Sequence, residues 1–284
     1  MKENKMIING FKTKASAIRH LRANGHKICT ILAKPESNPK VAKNGKVVDV
    51  MTAPLHLAPF NLSGFQVCAS ASDGCAAACL HTAGNPAYMA SKEASRIVKT
   101  QAYFKQRAAF LAVLVFEMLA HRRKWAAQGY DVAYRLNATS DLPFELRKVN
   151  IDGVDISIME YFSDCQFYDY TAVTKRAIAW AEGRMPANYH LTFSRKEDND
   201  AACLDVLAAG GNVAVCAELA LYKSAIPKDG KVAGSIYVKS LGGWIATTDG
   251  DQHDYRPADP MGVVVMLKAK GDAKHDTSGF TLRA

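Results

Sequence analysis

Tyr189-His190-Leu191-Thr192-Phe193-Ser194, a helical run over 199–209, Gly210-Gly211, and then Asn212-Val213-Ala214-Val215-Cys216-Ala217 form the stretch whose pattern decides the fold class. Two short β-type runs flank a helical run, and the glycine pair closes the helix before the second strand. A strand, a helix and a strand in this order ask for a parallel pair with the helix packed across it. The rhythm extends upstream through Val132-Ala133-Tyr134-Arg135-Leu136-Asn137, a short helix near 156–163, Gln166-Phe167-Tyr168-Asp169-Tyr170 and a helix over 173–181. Downstream it continues in Gly243-Trp244-Ile245-Ala246-Thr247-Thr248 and Gly262-Val263-Val264-Val265-Met266-Leu267. Residues 90–127 read as one long helical stretch, with Phe104, Leu111, Val115 and Met118 on one face. The expected fold is α/β, a complete or partial (β/α) barrel. Residues 51–284 form a single barrel-like domain, preceded by a basic N-terminal extension over 1–50.

The 284 residues, about half of them apolar, suffice for a sizeable core. Net charge is +9, and it is uneven: residues 1–50 hold eleven Lys/Arg against three acids. A short helix over 13–24 and the basic segment Lys34-Pro35-Glu36-Ser37-Asn38-Pro39-Lys40 occupy this arm. A second basic stretch lies between Lys92 and Lys124. Such a distribution suits a polyanion, nucleic acid above all, and equally suits plain solubility. In the first reading Arg96, Lys99, Lys105 and Arg107 contact phosphates. An odd count of seven cysteines argues against a secreted disulfide scaffold. No signal-peptide pattern opens the chain, and the most apolar run, Phe110 to Ala120, is short and interrupted by Glu117. The expected setting is cytoplasmic, without a membrane partner.

Cys68, Cys75 and Cys79 lie within twelve positions, directly after the strand-like run Phe65-Gln66-Val67. Gathered thiolates suit zinc or an iron–sulfur cluster, and three of them leave one coordination position open. A four-iron cluster on three thiolates would leave one iron for a molecule such as S-adenosylmethionine. Zinc would want a fourth ligand, and His81 is near. The bland alternative is three small buried side chains.

Polar residues recur where a strand hands over to its helix. In a barrel these strand ends share the face on which active sites are built. Asp141 is the candidate for proton transfer, with Asp169 as a second catalytic carboxylate; a helix start explains Asp141 equally well. Arg135 and Asn137, two apart in a strand, should point to one side. With Ser140, Tyr170, Ser194, Glu197, Asp249 and Asp251 they make up the candidate substrate-binding set. Ser194-Arg195-Lys196-Glu197 also has the form of a capping box. Asp249, Asp251, His253 and Asp254 could hold a hard cation, and a solvated turn is the simpler reading. No phosphate loop, dinucleotide fingerprint, H-E-x-x-H or G-x-S-x-G is present, which disfavours simple kinase, dehydrogenase, zincin and serine-hydrolase readings.

The ordered set Cys68 to Leu80, Ala83-Gly84, Arg135 to Asp141, Tyr168 to Thr171, Leu191 to Ser194 and Asp249 to Asp254 resembles the bacteriophage gene product 88 family of uncharacterised proteins. The resemblance runs over residues 50–272 and implies a phage or prophage protein, with no activity to carry over. A looser similarity is to phage three-cysteine proteins related to radical S-adenosylmethionine barrels, which share the C-x6-C interval. Here the last interval is one residue longer. The common radical spacing is C-x3-C-x2-C on the loop after the first strand. Ser63-Gly64-Phe65-Gln66-Val67 is similar to a strand of tRNA-guanine transglycosylases and their DNA-modifying phage relatives, whose late zinc motif is absent here. The leading expectation is an iron–sulfur, radical S-adenosylmethionine-like enzyme acting on nucleic acid or a nucleotide-like substrate. The alternatives are a zinc-stabilised nucleic-acid-binding protein without catalysis and a base-modifying transglycosylase.

Overall fold

The computed structural model describes residues 6–37, 39–79, 89–226, 234–238 and 243–283. The strands are β1 Val50–Pro54, β2 Asp131–Arg135, β3 Lys148–Ile151, β4 Val154–Ser157, β5 Gln166–Thr171, β6 Tyr189–Ser194, β7 Asn212–Ala217, β8 Gly234–Val238, β9 Gly243–Asp249 and β10 Val264–Lys268. The α-helices are α1 Lys14–Ala23, α2 Pro39–Ala42, α3 Asn44–Val47, α4 Asp73–Ala77, α5 Ala90–Lys105, α6 Arg107–Ala126, α7 Ile158–Tyr161, α8 Thr174–Ala181, α9 Asp200–Ala208 and α10 Leu219–Ala225.

Eight strands form one sheet in the order β1-β2-β5-β6-β7-β10-β9-β8, and β3 and β4 form a separate hairpin. Every pairing in the large sheet is parallel except that of β8 with β9. Among the described residues β1 and β8 stand at the edges with one partner each, so the sheet is not closed. The molecule is thus a mixed α/β protein with a mostly parallel sheet.

The register divides the sheet into two unlike faces. Tyr134, Phe167, Tyr189 and Leu191 pack with Phe110, Leu114 and Met118 of α6 in the largest core cluster. Phe193, Val213, Val215, Val264 and Met266 pack with Ala177 of α8, Val206 of α9 and Tyr222 of α10. These helices therefore cover one face. Helix α6 is apolar around its whole circumference from Phe110 to Val115, because α1 lies on its far side. The other face carries Thr52, Arg135, Tyr168, Tyr170 and Asn212, and the segment linking β9 to β10 packs across it. Tyr255 meets the Tyr168 ring at 5.5 Å, and Asn212 Nδ2 donates to the Pro260 carbonyl at 2.8 Å. Asn44 fastens the start of the chain to this face, donating from Nδ2 to Thr52 Oγ1 at 2.9 Å and accepting Asp254 N–H at 2.8 Å.

Several expectations change. Residues 65–67 are not a strand; Phe60 and Gly64 take positive φ there, and the strand preceding the cysteines is β1. The long helical stretch is two helices, broken at Gln106 by its extended φ of −134°. β2 ends at Arg135, so Asn137 lies in the following turn and Arg135 and Asn137 do not share a strand face. The first fifty residues are not set apart from the domain: Ile8, Leu21, Ile31 and Leu32 belong to the largest core cluster. Glu117 holds them there, accepting Ile31 N–H at 2.9 Å and Leu32 N–H at 2.8 Å and pairing with Lys14 at 2.7 Å. Among the described residues no helix is long and apolar enough to cross a membrane.

Candidate functional site

Cys68 follows Val67, whose carbonyl accepts the backbone N–H of Asp141 at 2.8 Å. That bond ties the cysteine segment to the loop after β2. Ser72 caps the short helix α4 by accepting Cys75 N–H at 3.3 Å. Glu197, in the loop after β6, then clamps the helix start: Oε2 accepts the Ser72 hydroxyl and Oε1 the Gly74 N–H, each at 2.8 Å. A Cβ on Gly74 would stand 2.7 Å from Glu197 Oε1, so glycine is what lets the carboxylate approach. The loop carrying Cys68 and Cys75 is thereby pinned over the C-terminal ends of β2 and β6.

The three thiols lie within electrostatic reach of one another. Burial pushes the Cys75 thiol up to about 12, with the charges of Cys79 and Cys68 adding to it. Burial likewise pushes Cys68 up to about 11, against backbone hydrogen bonds from Phe60 and Asp141. None of the three is in a disulfide. Among the described residues no three His, Cys, Asp or Glu side chains stand close enough to share a single metal ion. His81 and Ala83-Gly84 lie outside the described residues.

The candidate carboxylates separate onto different partners. Asp141 accepts Ala172 N–H at 2.8 Å and the Thr171 hydroxyl at 3.1 Å, and it pairs with Arg176. Burial raises its pKa while Arg176 opposes the rise. Arg176 also forks onto Glu145, with both bonds at 2.8 Å, and reaches the Tyr189 hydroxyl at 3.2 Å. Asp169 points to the helix-covered face, as its alternation with Tyr168 and Tyr170 requires. It accepts Asn137 N–H at 2.7 Å, Asn137 Nδ2 at 3.2 Å and the Tyr189 hydroxyl at 3.1 Å. Burial lifts it to about 7. Ser140 supports this turn by donating to Asn137 Oδ1 at 2.8 Å. Sequence reasoning passed over Arg176 and Glu145. A basic residue placed just after a strand end, opposite two acids, was the available signal.

On the other face Arg135 pairs with Asp254 at 2.9 Å and lies 4.8 Å from the centre of the Tyr170 ring. His56, just past β1, has Arg96, Arg135 and Lys99 within electrostatic reach, and burial first and these cations next push its ring down to about 3. His56 and Arg96 thus join a site in which His56 had not been anticipated.

The remaining candidates serve otherwise. The capping-box reading of Ser194 and Glu197 fails, because α9 starts at Asp200 and Glu197 is spent on α4. It is Asn199 that bridges the turn, donating to the Ser194 carbonyl at 3.0 Å and accepting Lys196 N–H at 2.6 Å. Asp249 and Asp251 lie over β9 and β10; Asp249 accepts from the Tyr222 hydroxyl, and Asp251 pairs with Lys270 at 2.7 Å. Lys99 is turned inward and donates to the Ile31 carbonyl at 2.9 Å. Lys105 and Arg107 are exposed, and Arg107 lies 5.0 Å from the Tyr103 ring centre. An open cleft of about 580 Å³ runs between the cysteine loop at Ser70 and Ala71, the start of α8 at Ala172 and Lys175, and the loop after β6 at Lys196 and Asn199.

No curated protein and no solved structure matches the chain. One family model matches over residues 28–284, nearly the whole length, and includes every candidate named above. The chain belongs to the bacteriophage gene product 88 family.

Proposed function

We propose that this phage protein is an iron–sulfur enzyme acting on nucleic acid or a nucleotide-like substrate. Its reaction centre would lie over the C-terminal ends of the parallel strands. The observation that carries the reading is the cysteine loop, which Glu197 and the Val67–Asp141 bond hold at that end of the sheet with three thiols in mutual reach. The longer helices α6, α8, α9 and α10 cover one face, with the short α3 placed against the other, and β1, β2, β5, β6 and β7 follow one another in space. A doubly wound sheet puts helices on both faces, whereas a barrel wall puts them on one. We therefore read the sheet as a partial (β/α) barrel wall, whose strand ends are the usual place for catalysis.

A four-iron cluster suits these thiols better than one zinc. Thiolates on a single ion crowd around it, while thiolates on a cluster each bind a different iron and stand farther apart. Cys68, Cys75 and Cys79 would hold it, and once reduced by an external electron donor it would supply one-electron chemistry toward S-adenosylmethionine. The chain's own groups would do the rest. Glu197 fixes the loop. Asp141, partly buried and within electrostatic reach of Cys68, is the group placed to move a proton. Asp169 orients the Asn137 turn. Lys175 and Lys196 line the cleft beside the loop, and the exposed Lys105 and Arg107 offer further positive charge to a phosphate backbone.

Anaerobic purification followed by iron and sulfide reconstitution tests this. The expected product is brown, with broad visible absorbance that is lost when the three cysteines are changed to alanine. A colourless protein carrying one zinc per chain would replace the enzyme with a zinc-stabilised nucleic-acid binder. Uptake of neither metal would remove both.

A further inference from the structure

Beside the cysteine loop, cations gather with donor capacity to spare. Arg135 spends one arm on Asp254 and lays its plane against Tyr170, while its Nε has no hydrogen-bond partner. The Tyr170 hydroxyl and His56 Nδ1 are equally without partners. Among the described residues Arg96 makes no ion pair and no side-chain hydrogen bond, although it is only partly exposed. Lys99 adds positive charge nearby but uses its ammonium on Ile31. A charge or polar group withdrawn from water and left unpaired costs stability, so a cluster of them calls for something to fill it.

We infer that His56, Arg96 and Arg135 form a recognition pocket for a phosphate group of the substrate. The three side chains come from separate elements: the segment after β1, helix α5 and the end of β2. Ala58 N–H donates to Thr100 Oγ1 at 2.8 Å, which ties α5 to the segment carrying His56. Donors supplied by separate elements suit a phosphate, whose oxygens point several ways, better than a planar carboxylate, which one guanidinium fork satisfies. Burial first, and the cations next, keep the His56 ring neutral, so it offers one N–H beside the two charged donors. This inference rests on the reading that the strand ends are the substrate site. The phosphate could belong to a free nucleotide or to a nucleic-acid chain.

Binding of inorganic phosphate, a nucleoside 5′-monophosphate and a short single-stranded oligonucleotide to the full chain, by equilibrium dialysis, tests it. Arg96→Gln and His56→Gln are each expected to weaken binding by about tenfold or more, the loss of one charge-assisted or buried hydrogen bond. Lys148→Gln, on the β3–β4 hairpin, is the exposed control and should leave monophosphate binding unchanged. These variants avoid Arg135, whose loss would strand Asp254. Preference for the monophosphate identifies a free nucleotide, and preference for the oligonucleotide identifies nucleic acid; either supports the pocket if both variants weaken it. Absence of binding by all three probes, or binding indifferent to Arg96→Gln and His56→Gln, overturns it. Iron content measured on the same samples separates the two ideas. Phosphate binding without iron uptake leaves the pocket standing and sinks the cluster, and iron uptake without phosphate binding does the reverse.

Discussion

Two polar clusters sit at the same end of the strands and differ in how fully they answer their own charges. Over β9 and β10, Asp251 accepts Lys268 N–H at 3.0 Å and pairs with Lys270 at 2.7 Å and Lys40 at 3.5 Å. Burial would raise this carboxyl, yet the lysines hold it below the usual carboxylate range. Asp249 is likewise answered by Tyr222 and by Asp251 N–H at 2.8 Å. Over β1 and β2 the balance is different: His56, Arg96, Tyr170 and part of Arg135 keep unused donors. A closed network holds a connection in place, while an open one costs stability until a ligand completes it. The acidic run after β9, which resembles a cation site in sequence, belongs to the first kind.

Asp254 stands at the boundary between the two clusters, and removing it should have the largest effect. Its carboxylate answers Arg135 at 2.9 Å, Tyr168 at 3.3 Å and Lys40 at 3.7 Å. Asp254→Ala leaves the Arg135 charge buried beside other cations, and a loss of about 3–5 kcal/mol is expected in urea denaturation. A loss below about 1 kcal/mol, the level of an exposed pair, would show that water already reaches Arg135 and would dissolve the contrast.

Glu197→Ala comes next. It removes both bonds to α4 and is expected to cost about 2–3 kcal/mol, as for hydrogen bonds to a charged acceptor. Metal uptake by the cysteines should fall with it, whereas a stability loss with unchanged uptake would separate loop anchoring from the cluster.

The pH response sharpens the picture with one group on each face of the sheet, His190 on the face of Tyr168 and Asp169 on the helix-covered face. Burial and then Arg256 push His190 down to about 3, and Trp180 and Thr192 also face its ring. Below the ordinary histidine value the unfolded chain takes a proton that the folded chain refuses. Stability conferred by the neutral ring is therefore lost as pH falls from about 6.5 toward 3, by about 1.4 kcal/mol per pH unit. Wild type should weaken against His190→Gln over that range. Asp169 has the reverse sign: its folded value, raised to about 7, makes wild type gain against Asp169→Asn as pH falls from 7 toward 4. Parallel melting curves for the three proteins check both slopes.

What the sequence made legible follows from the range of the interactions involved. The β6–α9–β7 unit was readable because its hydrophobic period and Gly210 act within a few residues. β1 was missed because Val50–Pro54 is short and ends in proline, while Phe65-Gln66-Val67 imitates a strand in a segment bent at Phe60 and Gly64. The strand-end residues were found as types but not as roles. Alternation alone sends Asp169 and Tyr170 to opposite faces, yet only the fold says which face the helices cover. Glu197 reaches α4 from 123 residues away, and such pairing leaves no local trace. Lys99 was taken for a surface cation because helix periodicity does not reveal that the first fifty residues cover it.

Arg96→Gln is the smallest change expected in stability and the most diagnostic in sign. An arginine that belongs to a closed network destabilises the fold when neutralised. Burial lowers the Arg96 pKa, while Cys79 and Glu93 favour its charge from a distance, and among the described residues it has no ion pair to lose. Its neighbours His56, Lys99 and Arg135 gain nothing from its charge. Neutralising it should change unfolding free energy by no more than about 0.5 kcal/mol, toward greater stability if toward either side. A residue that weakens ligand binding when changed, yet costs the empty protein nothing, is retained for what it binds. Destabilisation by more than about 1.5 kcal/mol would place Arg96 with the closed network instead, and the open cluster would lose its least ambiguous member.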